Sequence, residues 1–578
     1  MKRLMLGNEA VARGLYEAGV RLVSSYPGTP STEITEFAAK YGEILCEWAP
    51  NEKVALEAAY GASLAGFRSA CAMKHVGLNV AADPLFTLSY TGVTGGLVIF
   101  VADDPAMHSS QNEQDSRNYA IAAKLPMVEP SDSSEARDMV KYAFELSEKY
   151  DTPVLFRICT RIAHSQSVVE EGERIAPDRI PYEKQPRKYI MMPAYAKAKH
   201  PLVEERTKKL AELAETTPLN RIEGNSSELG IITSGTCYQY VKEVFGEGVK
   251  VLKIGMQNPL PSRLILDFAS SVKRLAVVEE LDGIIERHCR TLGLTPDGRN
   301  ILPPVGEYSQ RTVASALGVT SPSGAAFPGS DALPGRPPVM CSGCPHRGLF
   351  YVLSKLKLTV LGDIGCYTLG AQQPLNALDS VLCMGASVSG IHGFNRADPE
   401  NAKHTVAVIG DSTFMHSGMT GLCNIVYNAS ASTVIILDNS ITGMTGHQQN
   451  PTTGYTIRME ETPAVDLVKL GEAIGIKRIR IEDPFDLKGM RKAIEEEIAA
   501  EEPSLIIAQR PCALLKNVNY GAPVKIDTEK CRKCGSCMKL GCPAIFKDGG
   551  AYKIDSSICA GCELCVSLCA FGAIGKEK

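Results

Sequence analysis

The sequence predicts a multidomain α/β chain that ends in a small, cysteine-rich α+β domain. Helix-like and strand-like stretches alternate through most of the 578 residues, which is typical of parallel sheets covered by helices. A stretch rich in Pro, Gly and Ser separates two such regions, and eight cysteines are concentrated in the last 48 residues. A chain of this length divides into domains because a single core stops growing at roughly 250–300 residues.

Composition narrows the classes of function. The net charge of −4, without a cluster of Lys or Arg, gives no indication of nucleic-acid binding. Lys2 and Arg3 open the chain, but Glu9 interrupts the apolar stretch, so no signal peptide is expected. The most apolar segment, 92–102, is too short to span a membrane and predicts a buried strand. We therefore expect a cytoplasmic protein whose 19 cysteines favour metal binding over disulfides.

The order of the elements predicts the domain boundaries. Buried strands are expected at Leu97–Val101 and Val154–Arg157, and a helix at Asn8–Gly19. Ser31 is expected to cap a helix that begins at Thr32. The predicted organisation is an α/β domain at 1–165, a connecting segment at 166–227, a second α/β unit at 228–315, a linker at 316–338, a third α/β domain at 339–515 and the cysteine-rich domain at 520–578.

The terminal cysteines form two runs, each with three closely spaced thiols and a fourth at a distance. In two-cluster ferredoxins the fourth cysteine of each run serves the other cluster. A zinc ribbon would show two CxxC pairs, and disulfides do not suit a chain without a secretory signal. Four residues precede Cys542, where three are usual, and Ala570 replaces the usual Pro, but no ligand is lost. The spacing predicts one [4Fe–4S] cluster on Cys531, Cys534, Cys537 and Cys569, and another on Cys559, Cys562, Cys565 and Cys542.

A second motif lies in the third α/β domain. A strand at Thr405–Ile409 runs into Gly410-Asp411-Ser412, and a helix is expected from about Met415. A strand, a tight turn and a helix N-terminus form a cradle for phosphate. A second strand, Thr433–Leu437, leads to Asn439. Asp411 and Asn439, with a main-chain carbonyl, would supply half of a Mg²⁺ coordination shell, although an Asp and an Asn in ordinary turns would look the same.

This motif resembles the thiamine diphosphate motif, with Ser412 where glycine is usual. The resemblance implies Mg²⁺ ligands at Asp411, Asn439 and the Ile441 carbonyl. Thiamine chemistry also needs a glutamate against the aminopyrimidine ring. Glu52 is our candidate and Glu57 the alternative, and a solvated glutamate on a helix face would look similar. The remaining cofactor contacts are expected at Gly410, Ser412, Gly385 and Thr29.

Taken together, these features resemble the 2-oxoacid:ferredoxin oxidoreductases, and most closely their indolepyruvate-specific large (alpha) subunits. The resemblance implies two doubly wound thiamine-diphosphate domains, a transketolase C-terminal-like domain at 228–315 and a C-terminal ferredoxin-like domain with two [4Fe–4S] clusters. The strings that carry the resemblance are LGNEA at 6–10, YPGTPSTE at 26–33, HSSQNEQD at 108–115, CSGCPH at 341–346 and GMTG at 443–446.

The resemblance also implies an activity: ferredoxin-dependent oxidative decarboxylation of arylpyruvates such as indolepyruvate to aryl-acetyl-CoA and CO₂. Thiamine diphosphate, Mg²⁺ and [4Fe–4S] clusters would be the cofactors. A small beta subunit, two of each chain, coenzyme A and external ferredoxin would be the partners. A non-oxidative thiamine diphosphate-dependent decarboxylase, another 2-oxoacid:ferredoxin oxidoreductase and an electron-transfer scaffold with an inactive thiamine site are the alternatives.

In such enzymes a further cluster lies close to thiamine. The resemblance implies a proximal [4Fe–4S] cluster on Cys341, Cys344, Cys366 and Cys512, although plain buried thiols or a zinc pair would also explain the CxxC pair. A substrate carboxylate needs a cation or N–H donors. The candidates near the expected pocket are Thr29, His108, Ser109, Arg117, His75 and His346. The cysteines expected in apolar cores are Cys46, Cys71, Cys159, Cys237, Cys289, Cys383 and Cys423.

Overall fold

The structure, a computed structural model, describes residues 1–320 and 337–576 and divides into two compact units at residue 328. Most of the predicted linker at 316–338 therefore lies outside the described residues. None of the helices in the described ranges is both long enough and apolar enough to cross a bilayer.

The first unit contains strands and helices in alternation. Its strands are β1 (Lys2–Leu6), β2 (Leu22–Ser25), β3 (Leu45–Trp48), β4 (Ser69–Lys74), β5 (Leu97–Asp103), β6 (Met127–Val128), β7 (Val154–Cys159), β8 (Gln166–Glu170), β9 (Arg221–Glu223), β10 (Leu229–Ser234), β11 (Lys250–Ile254), β12 (Met256–Asn258) and β13 (Arg274–Val278). Its helices are α1 (Gly7–Glu17), α2 (Thr32–Ala38), α3 (Glu52–Leu64), α4 (His75–Val80), α5 (Ala82–Thr91), α6 (Arg117–Ala123), α7 (Ser133–Tyr150), α8 (Thr160–His164), α9 (Pro186–Tyr189), α10 (Pro193–Ala214), α11 (Gly235–Phe245), α12 (Ser262–Ser270), α13 (Ile284–Thr291) and α14 (Gln310–Ala316).

A seven-stranded sheet forms the centre of this unit, in the order β3-β2-β4-β5-β7-β6-β12. The strands from β2 to β7 are parallel, and β12 is antiparallel to β6. Both faces of the sheet are covered. In β5, Leu97, Ile99 and Val101 face one apolar core, and Val98, Phe100 and Ala102 face the other. The buried parallel strand predicted at Leu97–Val101 is confirmed.

A smaller sheet follows, in the order β13-β10-β11-β9, with β9 antiparallel at its edge. Its three parallel strands, β10, β11 and β13, lie within the second α/β unit predicted at 228–315. However, β12, which lies between β11 and β13 in the sequence, pairs with β6 at the edge of the seven-stranded sheet. The part of the sequence that forms the smaller sheet therefore contributes one strand to the larger sheet.

Buried ion pairs join these two sheets. Arg117 contacts Asp115 at 2.6 Å and Glu279, which follows β13, at 2.7 Å, and all three side chains are buried. Arg157 on β7 pairs with Asp103 and Glu129 in the same buried region. Burial raises the pKa of Glu279, whereas the Arg117 charge lowers it. A charge that is buried away from water is stable only when a charge of opposite sign lies beside it.

Two local predictions are wrong. The segment 166–227 contains the 22-residue helix α10, with Pro201 inside it. Only Val203, Leu210 and Ala214 of this helix are buried, so its apolar stripe was too thin to give a clear period. Helix α2 begins at Thr32 as predicted, but the Ser31 hydroxyl donates to the carbonyl of Gly28 instead of capping the helix.

The second unit repeats the parallel architecture. Its strands are β14 (Thr359–Gly362), β15 (Ser380–Val381), β16 (Thr405–Gly410), β17 (Thr433–Asp438), β18 (Arg478–Glu482), β19 (Ser504–Gln509), β20 (Val524–Ile526), β21 (Ile545–Asp548), β22 (Ala551–Ile554) and β23 (Ile574–Lys576). Its helices are α15 (His346–Leu356), α16 (Ala386–Ala397), α17 (Asp411–Thr413), α18 (Met419–Tyr427), α19 (Leu467–Ile474) and α20 (Leu487–Ile498).

Its six-stranded sheet is all parallel, in the order β15-β14-β16-β17-β19-β18. We number the six parallel strands of each sheet along the chain, starting from β2 in one sheet and β14 in the other and leaving out the antiparallel β12. Both sheets then have the strand order 2-1-3-4-6-5. The two units therefore share one parallel topology. Helix α17 begins at Asp411 directly after β16, not near Met415 as predicted, and continues through a π turn into α18.

The terminal segment forms two small antiparallel sheets, β20 with β23 and β21 with β22. Its apolar side chains, including Val524, Leu540 and Leu564, pack with Tyr351 of α15 and Leu487 of α20. Within the second unit, this small domain therefore lies against the large sheet's helices.

Replacing Arg117 tests the buried ion pairs. Arg117→Gln leaves the buried Glu279 carboxylate without a cation and Asp115 with Arg157 alone at 4.0 Å, so the free energy of unfolding should fall by roughly 3–5 kcal/mol. Denaturant unfolding of the full chain, followed by the fluorescence of the single tryptophan, Trp48 on β3, reports on this unit. The control is Lys273→Gln, which removes an exposed pair with Glu228 and should cost less than about 1 kcal/mol. Equal effects of the two variants would contradict the interpretation.

Candidate cofactor site and cysteine cavities

The strand order of the six-stranded sheet changes direction between the neighbouring strands β14 and β16, because β15 is added on one side of β14 and β16 on the other. Ligands of open parallel sheets bind in the crevice at the carboxyl ends of such a pair of strands. Asp363 follows β14, and Asp411 follows β16. The predicted diphosphate motif therefore lies at the position where the fold forms a crevice.

Asp411 is buried and held in one orientation. Its Oδ2 accepts hydrogen bonds from Asn450 Nδ2 and Thr452 Oγ1, both at 3.1 Å. The side-chain amide of Asn439 lies 3.1 Å from Asp411 Oδ1 and 2.8 Å from the main-chain oxygen of Ile441. In the chain alone the amide nitrogen donates to both oxygens. If the Asn439 amide group rotates by 180°, its oxygen joins Asp411 Oδ1 and the main-chain oxygen of Ile441. The three oxygens would then face one cation.

The electrostatics of Asp411 also fit a cation. Burial, with the neighbouring Asp438 carboxylate, raises the pKa of Asp411 to about 7, and Asn450 and Thr452 oppose the shift. Without a positive partner this carboxyl is therefore held near half-protonation at neutral pH. Three oxygen donors of this kind, carboxylate, amide and carbonyl, are those that Mg²⁺ prefers.

Glycines let the main chain approach the crevice closely. A Cβ on Gly410 would lie 2.6 Å from Tyr367 Cε1, so no side chain fits there. Gly385 caps α16 at a φ of 86°, which favours glycine. Asp363 accepts from the N–H groups of Gly385 and Ser387 at 2.9 and 3.0 Å. Ser412 is buried and accepts a hydrogen bond from Thr442 Oγ1.

In the first unit, the structure distinguishes the two candidate glutamates. Glu52 is the first residue of α3, is buried, and packs so closely on Gly77 that a Cβ there would lie 2.5 Å from Glu52 Oε1. Glu57 is exposed and pairs with Lys53 on the same helix. Only Glu52 is therefore in the enclosed setting that a buried cofactor ring requires.

The substrate candidates do not all lie together. Thr29 follows β2 and accepts a hydrogen bond from Ser109 Oγ at 3.3 Å. Lys74, which the sequence reasoning missed, is buried at the end of the neighbouring strand β4 and donates to the Ser109 carbonyl at 3.0 Å. Burial lowers the pKa of Lys74, and the charges of Asp104 and Glu52 oppose the shift. Thr29, Ser109 and Lys74 thus surround the switch point of the first sheet.

The other substrate candidates are in different settings. Arg117 directs its donors to Asp115, Glu279 and nearby carbonyls, so it is not available to a substrate. His108 is half-exposed and contacts Glu307. His75 is buried, with Nε2 3.1 Å from the Asn112 carbonyl. Burial lowers the pKa of His346 to about 4.

The terminal cysteines surround two cavities in the second unit. One cavity is lined by Cys531, Cys534, Cys537 and Cys569. The other is lined by Cys542, Cys559, Cys562 and Cys565, together with Cys344 and Arg347. These are the two crossed sets predicted from the spacing. Across the described ranges, no three His, Cys, Asp or Glu side chains are grouped as ligands of a single metal ion.

The four thiols proposed for a proximal cluster also lie within electrostatic range of one another. Burial raises the pKa of Cys366 to about 11, and the charges of Cys512 and Cys341 add to the shift. Burial raises that of Cys344 to about 12, with contributions from Cys366 and Cys341. The Cys512 N–H donates to the carbonyl of Asn439, which ties this set to the diphosphate motif.

Among the cysteines expected in apolar cores, Cys71, Cys159, Cys237 and Cys289 are buried. The prediction is wrong for three others. Cys46 is only half-buried because β3 is an edge strand. Cys383 follows the edge strand β15, and Cys423 lies on α18 opposite Leu422 and Ile425, so both are exposed in this chain.

Sequence comparisons place the chain among known proteins. The family described as "Pyruvate flavodoxin/ferredoxin oxidoreductase, thiamine diP-bdg" matches residues 13–214. "Thiamine pyrophosphate enzyme, C-terminal TPP binding domain" matches residues 363–508. The indolepyruvate oxidoreductase subunit IorA of Archaeoglobus fulgidus is 40% identical over 100% of this chain and 98% of its own length. The IorA subunit of Pyrococcus horikoshii is 38% identical, covering 100% and 97%.

Among solved structures, the chain is similar to a 2-oxoglutarate:ferredoxin oxidoreductase from Magnetococcus marinus that was determined with 2-oxoglutarate, coenzyme A and succinyl-CoA bound. The sequence identity is 19%, and the alignment covers 55% of this chain and 65% of that one, with a TM-score of 0.47.

Removing the Asp411 carboxylate tests the diphosphate site. Asp411→Ala should weaken Mg²⁺-dependent binding of thiamine diphosphate by more than about 100-fold, because loss of an outer-shell partner alone costs about 10- to 100-fold. Titration calorimetry with thiamine diphosphate and Mg²⁺ measures the affinity. Asp466→Ala, which removes an exposed helix cap in the same unit, should bind normally. Wild-type affinity in Asp411→Ala would show that the site lies elsewhere.

Proposed function

Because the chain belongs to the family of indolepyruvate oxidoreductase IorA subunits, we propose that it catalyses the ferredoxin-dependent oxidative decarboxylation of arylpyruvates, indolepyruvate among them, to aryl-acetyl-CoA and CO₂. The observation that carries the proposal is the identity of 38–40% to IorA subunits along the full chain. One thiamine-related family match, 13–214, includes Glu52, and the other, 363–508, includes Asp411.

In this proposal the chain holds thiamine diphosphate through residues already described. Asp411, Asn439 and the Ile441 carbonyl bind Mg²⁺, and the N–H groups at the start of α17 and α16 face the diphosphate. Bound thiamine diphosphate supplies the carbanion and the electron sink for decarboxylation. Glu52 accepts and returns a proton at the aminopyrimidine ring, for which its buried position on α3 is suited.

Electrons would leave through the cysteine sets of the second unit. We place a proximal [4Fe–4S] cluster on Cys341, Cys344, Cys366 and Cys512, beside the diphosphate motif. Cys344 also lines the cavity of Cys542, Cys559, Cys562 and Cys565, which makes that set the next site along the route. The set that includes the exposed Cys534 would then face external ferredoxin.

The remaining partners follow from the family. The relatives are named as subunits, so we propose a small partner chain in a heteromer of two of each, with coenzyme A as acyl acceptor. The cysteines in the described ranges form no disulfide, which suits a reducing cytoplasm.

An anaerobic assay tests the proposal. The chain is co-purified with its small partner and supplied with indolepyruvate, coenzyme A and a viologen dye. Dye reduction that depends on coenzyme A and forms aryl-acetyl-CoA is the expected result. Aldehyde formation without dye reduction would identify a non-oxidative decarboxylase. Faster turnover of another 2-oxoacid would show that indolepyruvate is not the preferred substrate. An absence of iron, sulfide or bound thiamine diphosphate would refute the proposal.

The two glutamates of α3 form a matched pair of variants. Glu52→Gln should lower kcat by about 10²- to 10⁴-fold, the usual contribution of a positioned acid or base, and leave the iron content unchanged. Glu57→Gln changes an exposed ion pair on the same helix and should keep nearly full activity. The steady-state rate of dye reduction, measured for both variants, shows which of the two glutamates the reaction requires. A large loss in Glu57→Gln with an active Glu52→Gln would reverse the assignment.

A further inference from the structure

Arg347 is a buried cation with no carboxylate partner among the residues that the structure describes. It is the second residue of α15, and only 3% of it is exposed. Its Nη1 donates to the Leu540 carbonyl at 2.7 Å, and its Nη2 to the carbonyls of Met340 and Cys341 at 2.6 and 3.0 Å. Its Nε is buried and has no hydrogen-bond acceptor among the described residues.

This position is costly for a positive charge. The N-terminus of a helix carries a partial positive charge of its own, which repels a cation. Three main-chain oxygens satisfy most of the donors, but they do not neutralise the guanidinium. A buried charge of this kind is retained when an anion pairs with it, since burial of an unpaired charge is strongly unfavourable.

The guanidinium lies in the wall of the cavity lined by Cys542, Cys559, Cys562 and Cys565. A Cβ on Gly541, next to Cys542, would lie 3.5 Å from Arg347 Nη1. The unpartnered cation and four thiols that become anionic as ligands therefore share one enclosed space.

We propose that Arg347 is a positioning residue that provides the counter-charge of the cluster held by Cys542, Cys559, Cys562 and Cys565 and raises its reduction potential. Four thiolates on a [4Fe–4S] core carry net negative charge, which grows by one on reduction. A fixed cation nearby therefore stabilises the reduced cluster more than the oxidised one. The inference rests on the proposed function, because it requires that this cysteine set holds a cluster.

Arg347 also connects the two segments between which electrons would pass. Its carbonyl partners lie on the Met340–Cys341 turn, beside the CxxC pair, and at Leu540, two residues before Cys542. The Arg347 side chain thus holds the loop that contains Cys344 against the terminal domain. It also places a positive charge in the wall of the cavity that Cys344 lines together with Cys542, Cys559, Cys562 and Cys565. The substitution to Lys keeps the charge and loses the planar fork, which separates the two effects.

The test is an EPR-monitored redox titration of the anaerobically purified complex. Arg347→Gln, Arg347→Lys and the control Arg491→Gln, an exposed ion-pair variant on α20, are compared with the wild type. The midpoint potential of one cluster should be more negative in Arg347→Gln, near the wild-type value in Arg347→Lys, and unchanged in Arg491→Gln. The shift should persist when Cys534→Ala removes a ligand of the other cysteine set.

The outcomes separate the inference from the proposed function. Wild-type potentials in an Arg347→Gln complex with full iron and sulfide would overturn the role of Arg347 and leave the proposed function intact. If Arg347→Gln loses the cluster, Arg347→Lys decides: retained iron at near wild-type potential supports the inference. Loss of the cluster from a folded Arg347→Lys shows an anchor only and overturns it. A wild-type complex without iron–sulfur signals refutes the proposed function itself.

Discussion

Strand register in the six-stranded sheet is the constraint on which the candidate cofactor site depends. The central strands β16, β17 and β19 are buried and largely apolar, so polar side chains gather where these strands end. The register pairs Gly410 on β16 with Leu437 on β17, which brings the next residues, Asp411 and Asp438, side by side. Their repulsion adds to burial in raising the pKa of Asp411 to about 7. The same register brings Asn439 within reach of Asp411.

The shared strand order of the two large sheets explains why each unit gathers its candidate site residues at the same place in its own sheet. In both sheets the crevice forms between the first and third strands. The second sheet places carboxylate, amide and carbonyl oxygens there, which suit a cation and its diphosphate. The first sheet places Thr29 and Lys74 there, with Glu52 on the helix after the adjacent edge strand β3. The topology fixes the location, and a few side chains at the strand ends decide the chemistry.

Much of this arrangement could be predicted from the sequence, because buried parallel strands and cysteine spacing are local signals. Asn450 and Thr452 could not, since they reach Asp411 from a loop about 40 residues away with no motif of their own. Arg117 was a wrong candidate for a related reason. The sequence shows a cation near the HSSQNEQD string at 108–115, but it does not show that the folded chain surrounds this cation with carboxylates. Cys423 lies on the exposed face of α18 with Thr420 and Asn424, but the helix is apolar overall, so these two polar residues were too weak a signal to place the thiol in solvent.

The thiols of the second unit show why the cysteine sets and their surroundings must be considered together. Burial raises the pKa of Cys565 to about 12 and of Cys344 to about 12, so the chain alone favours protonated thiols. Metal ligands must be deprotonated, so binding iron at these positions releases protons and leaves buried negative charge. Such charge is stable only beside a fixed cation or N–H donors. Arg347 is such a cation, and the Cys559 and Cys569 sulfurs accept N–H hydrogen bonds from Gly561 and Ala573 at 3.4 and 3.2 Å. The protein matrix around the thiols is therefore arranged for anionic ligands, even though burial disfavours each thiolate on its own.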